Sequence, residues 1–225
     1  MSYLQLLDLY KIYKEGAVET VALRGAKLAV NAGEFIAITG RSGSGKSTLM
    51  NLIGGLALPS AGRVVIDGAD IAKMSEAERA AFRRQHIGIV YQMDNLIPFL
   101  TAQENVALPL ELAGQKNPFA RARNLLAEVG LAERLHHKPD MLSGGEQQRA
   151  AIALALANEP ALLLADELTG ELDSGSAEKM MALLQQINSD RHLTLIVVTH
   201  NRAVAAFAQR QVRIHDGQLS EEIHA

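Results

Sequence analysis

Phe35-Ile36-Ala37-Ile38-Thr39-Gly40-Arg41-Ser42-Gly43-Ser44-Gly45-Lys46-Ser47-Thr48-Leu49-Met50-Asn51-Leu52-Ile53 is the stretch that decides the fold. The apolar run reads as a buried strand, the glycine-rich octet as a loop, and the residues from Thr48 onward as a helix. In that order the glycines let backbone N–H groups turn inward around a phosphate. Lys46 can then reach the β- and γ-phosphates, and the Ser47 hydroxyl can sit on Mg²⁺. A glycine-rich turn that binds nothing is the bland alternative, and it leaves Lys46 and Ser47 without a reason. Gly40, Arg41, Ser42, Gly43, Ser44, Gly45, Lys46, Ser47 and Thr48 are the expected nucleotide-binding set.

The chain has 225 residues, 48% of them apolar, enough for one large domain whose core needs no staples. It has no Cys, so it carries no disulfide framework. A formal net charge of −3 supplies no general attraction to nucleic acid or anionic lipid. The opening Met1-Ser2-Tyr3-Leu4-Gln5-Leu6-Leu7-Asp8 has neither a basic n-region nor a small-residue cleavage site, so a cytoplasmic location is expected. The most apolar stretch, Ala150 to Ala165, is interrupted by Asn158-Glu159-Pro160 and is too short to span a bilayer. Any membrane role then requires another subunit.

Up to Val30, alternating apolar residues (Leu4, Leu6, Leu9, Ile12, then Val18, Val21, Leu23) predict antiparallel strands. Phe35–Thr39, Val64–Ile66, Ile87–Tyr91, Ala161–Ala165 and Leu193–Thr199 are short apolar runs, several separated by helical patterns, as in strands of a mainly parallel sheet. Ser75–Gln85 reads as a helix opened by a capping pattern, its charges forming a solvated face. Between residues 101 and 140 the pattern turns helical, with helices over Gln103–Leu112 and Ala120–Val129. This predicts an α/β domain: a core of residues 1–100 and 141–225 with an antiparallel β subdomain, and a helical insertion over 101–140. Asp216-Gly217 within Val212–Glu222 marks a closing hairpin.

Two further motifs carry chemistry. Leu162-Leu163-Leu164-Ala165-Asp166-Glu167 is a buried strand ending in two carboxylates at the edge where α/β sheets place ligands. Asp166 is placed to hold the Mg²⁺ shell and Glu167 to polarise a water attacking the γ-phosphate. Leu142-Ser143-Gly144-Gly145-Glu146-Gln147-Gln148-Arg149 leads into the helical run Ala150–Ala157 and exposes N–H groups at a helix start, a second anion site. One triphosphate does not need two such sites in one chain.

Leu142–Arg149 resembles the signature sequence of the ATP-binding cassette (ABC) family, and the other family motifs occur in order. Gln92 matches the Q-loop, Gly170-Glu171-Leu172-Asp173 the D-loop, His200 the switch histidine, and Tyr13 the aromatic that stacks on adenine. The resemblance spans nearly the whole chain. It implies a P-loop NTPase (RecA-like) core, with ATP and Mg²⁺ as cofactors and Gln92 joining Ser47 and Asp166 around the metal. Lys46, Glu167 and His200 would be the hydrolytic residues. It also implies a head-to-tail homodimer formed on ATP binding, in which Ser143, Gly144 and Gly145 of one chain close over the nucleotide of the other. The remaining histidines (His86, His136, His137, His192, His215, His224) show no ligand spacing, so a structural metal is not expected.

The chain departs from the family pattern at four places. Leu168 stands for the usual Pro after the catalytic Glu, restoring an N–H and freeing φ, so a looser turn is expected. Leu154 replaces an Arg in the signature helix, Glu171 a small or amide residue in the D-loop, and Asn201 an Asp after the switch histidine. Leu52-Ile53-Gly54-Gly55-Leu56, Asn95-Leu96-Ile97-Pro98 with Thr101–Val106, and Leu142–Arg149 resemble the ATPases of the lipoprotein-releasing and macrolide-exporter group. That resemblance implies integral membrane permease subunits docking on the apolar segment 92–100, and a peripheral place on the cytoplasmic face of the membrane. A soluble ABC ATPase acting on nucleic acid or ribosomes is opposed by the single cassette and the lack of a basic run. A nucleotide-gated regulator of a cell-wall enzyme complex shares every motif and differs only in partner. A kinase leaves the signature unexplained.

Overall fold

A computed structural model describes residues 2–16, 18–170 and 172–221. Glu171, Glu222 and His224 lie outside them. Two sheets form the frame. In the first, the long strands β1 (Ser2–Glu15) and β2 (Val18–Asn31) pair antiparallel, and the order continues through β4 (Ala61–Ile66) to β5 (Ala69–Asp70). The second runs β10 (Gln218–Glu221), β9 (Arg210–His215), β3 (Phe35–Thr39), β8 (Thr194–Thr199), β7 (Leu162–Asp166), β6 (Ile87–Val90). There β9, β3, β8, β7 and β6 are parallel, and β10 returns antiparallel on β9 as the expected hairpin.

The central strands are apolar throughout because both faces are covered. Period-2 alternation divides them between two cores. Phe35, Leu163, Ala165, Leu195 and Val197 join the core under the helices, whereas Ile36, Ile38, Leu162, Leu164, Ile196 and Val198 face the antiparallel sheet and α1 (Lys46–Ile53). Each fully buried Leu, Ile or Phe contributes roughly 1.5–3 kcal/mol.

Val64–Ile66 does not belong with the parallel strands. Val64 and Ile66 are buried, but Arg63 is exposed and Val65 only half-buried, and the strand pairs antiparallel with β1. A three-residue apolar run does not distinguish one-sided from two-sided burial. The flanks do: Gly62, at φ +88°, lets the strand approach the Asp8 carbonyl so closely that a Cβ would lie 2.2 Å from it, and Asp67-Gly68 turns the chain into β5.

Helix α2 (Glu76–His86) starts with a reciprocal capping box: Ser75 Oγ accepts from Glu78 N–H, and Glu78 accepts from Ser75 N–H. Its charges are not simply a solvated face, because Arg79 is buried. The Arg79 guanidinium donates to the Met74 carbonyl and pairs with Glu76, while Arg83 donates to the Gly55 carbonyl at 2.6 Å.

Helices α3 (Ala102–Leu112), α4 (Pro118–Glu128) and α5 (Gly144–Ala155) pack on one another. Helix α4 begins two residues earlier than periodicity suggested, since Pro118 presets the φ of a first helical residue. Helix α6 (Ser174–Arg191) covers the sheet, and the short α7 (Arg202–Ala205) follows β8.

Asn105 is 2% exposed and ties segment 97–101 to α3. Its amide donates to the Ile97, Leu100 and Thr101 carbonyls, and its oxygen accepts from Ile97 N–H at 2.7 Å. Asn105→Ala orphans these groups, so denaturant unfolding should show a loss of about 2–3 kcal/mol. A loss below about 0.5 kcal/mol would mean that the segment is held by other contacts.

Candidate functional site

Parallel pairing sets the strand ends level, Thr39 opposite Thr199 and Asp166 opposite Val198, so the chain leaves β3, β7 and β8 at one edge of the sheet. After β3 comes the loop Gly40–Gly45. Gly45 holds φ +106° with the Ala22 carbonyl 2.6 Å from where a Cβ would stand, so a side chain is excluded there. Lys46 is buried, and its ammonium donates to the Gly40 and Arg41 carbonyls at 2.9 Å each, which places the charge inside the loop. Ser44 is buried with its hydroxyl unpartnered, whereas Arg41, Ser42 and Gly43 are exposed. Thr48 continues α1 and is half-buried.

Ser47, in the first turn of α1, donates to Asp166 Oδ2 over 3.5 Å. Burial raises the Asp166 pKa first and the adjacent Glu167 charge second, against smaller lowering by Lys46 and Ser47. Two hard oxygen donors with surplus negative charge beside a phosphate loop fit a divalent cation of the Mg²⁺ type, whose remaining ligands are usually phosphate and water. Among the described residues no group of three or more His, Cys, Asp or Glu could hold a metal alone.

Glu167 takes a left-handed backbone, φ +46°, which for a non-glycine residue costs on the order of 1–3 kcal/mol. The turn is nevertheless well held. Glu167 N–H donates to the Val198 carbonyl at 2.9 Å, Gly170 N–H to the Glu167 carbonyl at 3.0 Å, and Leu168 is buried in the core under the helices. The looser turn expected from loss of Pro is replaced by an apolar anchor. The Glu167 carboxylate lies 3.2 Å from His200 Nδ1.

Two of the other departures are similarly absorbed, and Glu171 lies outside the described residues. Asn201 caps α7 by accepting from Ala203 N–H, and Leu154 packs against the same core as Leu168.

Gln92 is exposed at the end of β6, and its amide nitrogen lies 3.3 Å from where a Cβ on Gly170 would stand, next to the Glu167 turn. Tyr13 lies on β1, 41% exposed, with Lys11 Nζ 5.0 Å from its ring centre. Ser143 is the N-cap of α5, and a Cβ on Gly144 would meet nothing within 4 Å. No hydrogen bond among the described residues joins Ser143–Gly145 to the phosphate loop. Lys46, Ser47, Asp166, Glu167 and His200 therefore converge, while the α5 start stands open to a partner.

Sequence reading missed three supporting residues. Gln148 donates to the Gln92 carbonyl at 2.6 Å, joining α5 to the end of β6; Asn105 holds segment 97–101; and Arg134 donates to Glu146 at 2.9 Å. Only Asn105 left a signal, a polar residue on the core-facing side of a helix.

A family model described as "ABC transporter" matches residues 23–170. A lipoprotein-releasing system ATP-binding protein, LolD, of Alcanivorax borkumensis is 47% identical over 218 residues, covering 96% of each chain. The macrolide export ATP-binding/permease protein MacB of Syntrophobacter fumaroxidans is 45% identical over 226 residues, 99% of this chain but 32% of that protein. Among solved structures, the ATP-binding cassette MJ0796, as a dimer in a post-hydrolysis state bound to ADP and Pi, superposes with a TM-score of 0.91. It is 43% identical, with 97% of both chains covered.

The raised Asp166 pKa means that its ionised form opposes folding fully above that pKa, an opposition that eases as pH falls through it and is gone below the pKa of the unfolded chain. Nucleotide-free Asp166→Asn should therefore melt at a higher temperature than the parent at neutral pH, with the difference shrinking in acid. A lower melting temperature at neutral pH would show that the carboxylate is structurally needed.

Proposed function

Because the chain belongs to the ATP-binding cassette (ABC) transporter family, we propose that Lys46, Ser47, Asp166, Glu167 and His200 form the hydrolytic half of a nucleotide site shared between two copies. The chain is an ATP-binding ATPase that works as a dimer with membrane permease subunits. The observation that supports the residue assignment best is the convergence of these five side chains at one edge of the parallel sheet.

In this reading ATP lies in the Gly40–Thr48 loop, its phosphates on the loop N–H groups and the positive end of α1. Lys46 exchanges the Gly40 and Arg41 carbonyls for phosphate oxygens. Ser47, Asp166 and Gln92 hold Mg²⁺, which when bound neutralises phosphate charge. Glu167 accepts a proton from the attacking water as its oxygen bonds to the γ-phosphorus and the bond to ADP breaks. His200 holds the Glu167 carboxylate. The exposed ring of Tyr13 stacks on adenine, and Ser143, Gly144 and Gly145 of the second copy close over the γ-phosphate.

Residues 101–140 act as the helical subdomain and the rest as the core. The permease side is the groove of about 550 Å³ lined by residues 92–98 and the start of α5. Phe99 is 71% exposed and Met93 58%, apolar area available to a partner. No described helix is long and apolar enough to cross a membrane, so attachment to the cytoplasmic face comes through those subunits. Lipoprotein release or macrolide export is the transport class in view.

Glu167→Gln should lower ATP turnover by roughly 10²–10⁴ while ATP still binds; an unchanged rate removes Glu167 from its role. That variant, trapped with ATP in its own cells and gently solubilised, should bring down a multi-span membrane protein. Phe99→Asp should reduce that recovery without changing nucleotide affinity. Recovery of only soluble or ribosomal proteins would overturn the transport reading.

A further inference from the structure

We propose that Arg134 is a positioning residue for the second copy's nucleotide: it offsets the Glu146 charge at the start of α5, so that Ser143–Gly145 can receive a γ-phosphate. This rests on the two-copy site proposed above.

The start of α5 is an ambivalent place for a phosphate. Its free N–H groups and dipole attract an anion, yet Glu146, in the third helical position, already places a full negative charge there. Glu146 Oε2 accepts from both the backbone N–H and the hydroxyl of Ser143, at 2.9 Å each, and Ser143 Oγ accepts from Glu146 N–H. The cap thus occupies donors that a phosphate would use. A phosphate oxygen meeting Ser143 Oγ would lie one hydrogen bond beyond this carboxylate, roughly 5 Å away, within strong Coulomb range at the edge of a protein.

The other carboxylate oxygen, Oε1, accepts from Arg134 Nε at 2.9 Å. Arg134 is well anchored. It ends a 3₁₀ turn, Ala132–Arg134, whose N–H and carbonyl are bonded to Leu131 and His137, and Leu131 is buried beside it. The guanidinium therefore offsets the Glu146 charge where it arises, while Oε2 stays on Ser143. The Ser143 contacts and Arg134 hold the Glu146 carboxyl down to about 2, so it is ionised at any working pH. Arg149 is the other nearby cation, 3.8 Å from where a Cβ on Gly145 would stand, and it has no hydrogen bond to Glu146 among the described residues. Since the Arg134 and Glu146 side chains are 44% and 20% exposed, solvent screens part of the effect.

The test uses the full chain carrying Glu167→Gln, so that bound ATP is not consumed. ATP-driven dimer formation is followed by sedimentation across an ATP series, beside affinity for ADP in the monomer. Adding Arg134→Ala should raise the ATP needed for half-dimerisation by about three- to tenfold without moving ADP affinity. Adding Glu146→Gln to that protein should restore the parent value, because no uncompensated charge remains. Arg134→Lys should fall between. Unchanged dimerisation in Arg134→Ala overturns the inference and leaves the two-copy reading standing. So does failure of Glu146→Gln to rescue, because Arg134 would then be supporting the fold alone, which thermal melting of each variant would register. If the Glu167→Gln parent does not dimerise at any ATP concentration, the two-copy reading fails and takes this inference with it.

Discussion

The in-register parallel pairing of β3, β8 and β7 is the constraint on which the site depends. Each strand leads into a segment that carries part of the candidate site, and level strand ends bring three distant sequence segments to one edge. Strands buried on both faces have little freedom to slip, because a shift of one residue would exchange the two cores, sending Ile36 and Ile196 toward the helices and Phe35 and Leu195 toward the antiparallel sheet. Packing at the sheet centre thereby aligns Lys46, Asp166, Glu167 and His200. The strained backbone at Glu167 is tolerated because its N–H is bonded to β8 and the following Leu168 is sunk in the core.

Around this edge, the helical arm is joined to the core by polar ties as well as apolar packing. Gln148 bonds the end of β6, Asn105 gathers the following segment, and ion pairs Arg121–Glu159 and Arg191–Glu128 link α4 to the core on another side. The segment exposing Met93 and Phe99 is fastened at both ends: by Asn95, which bonds both the N–H and the carbonyl of Tyr91, the residue after β6, and to α3 through Asn105.

Legibility in the sequence tracks the range of the interactions involved. The phosphate loop is a local object: a strand, fixed glycines and a helix start contiguous in the chain, so Gly40–Thr48 could be read directly. The capping pattern at Ser75 is local too, and its box formed. Val64–Ile66 was misplaced because the choice between the two sheets depends on what covers each face of the strand, and three residues carry no record of that. Arg79 was misjudged for the same reason: a charged residue in a polar helix gives no sign that Met74, Glu76 and the Gly55 turn will surround it.

From its own order, the sequence determined the α/β class, the glycine-rich loop after β3, the strand-end carboxylates and the presence of a second glycine-rich helix start, since each follows from residue types at fixed short spacing. Only the tertiary structure decided that Glu167 meets His200, that Leu168 anchors a turn the missing Pro left open, and that Arg134 reaches Glu146. Those are contacts between side chains brought together by sheet register and helix packing, and their geometry is set by the shared core rather than by the neighbours of either residue in the chain.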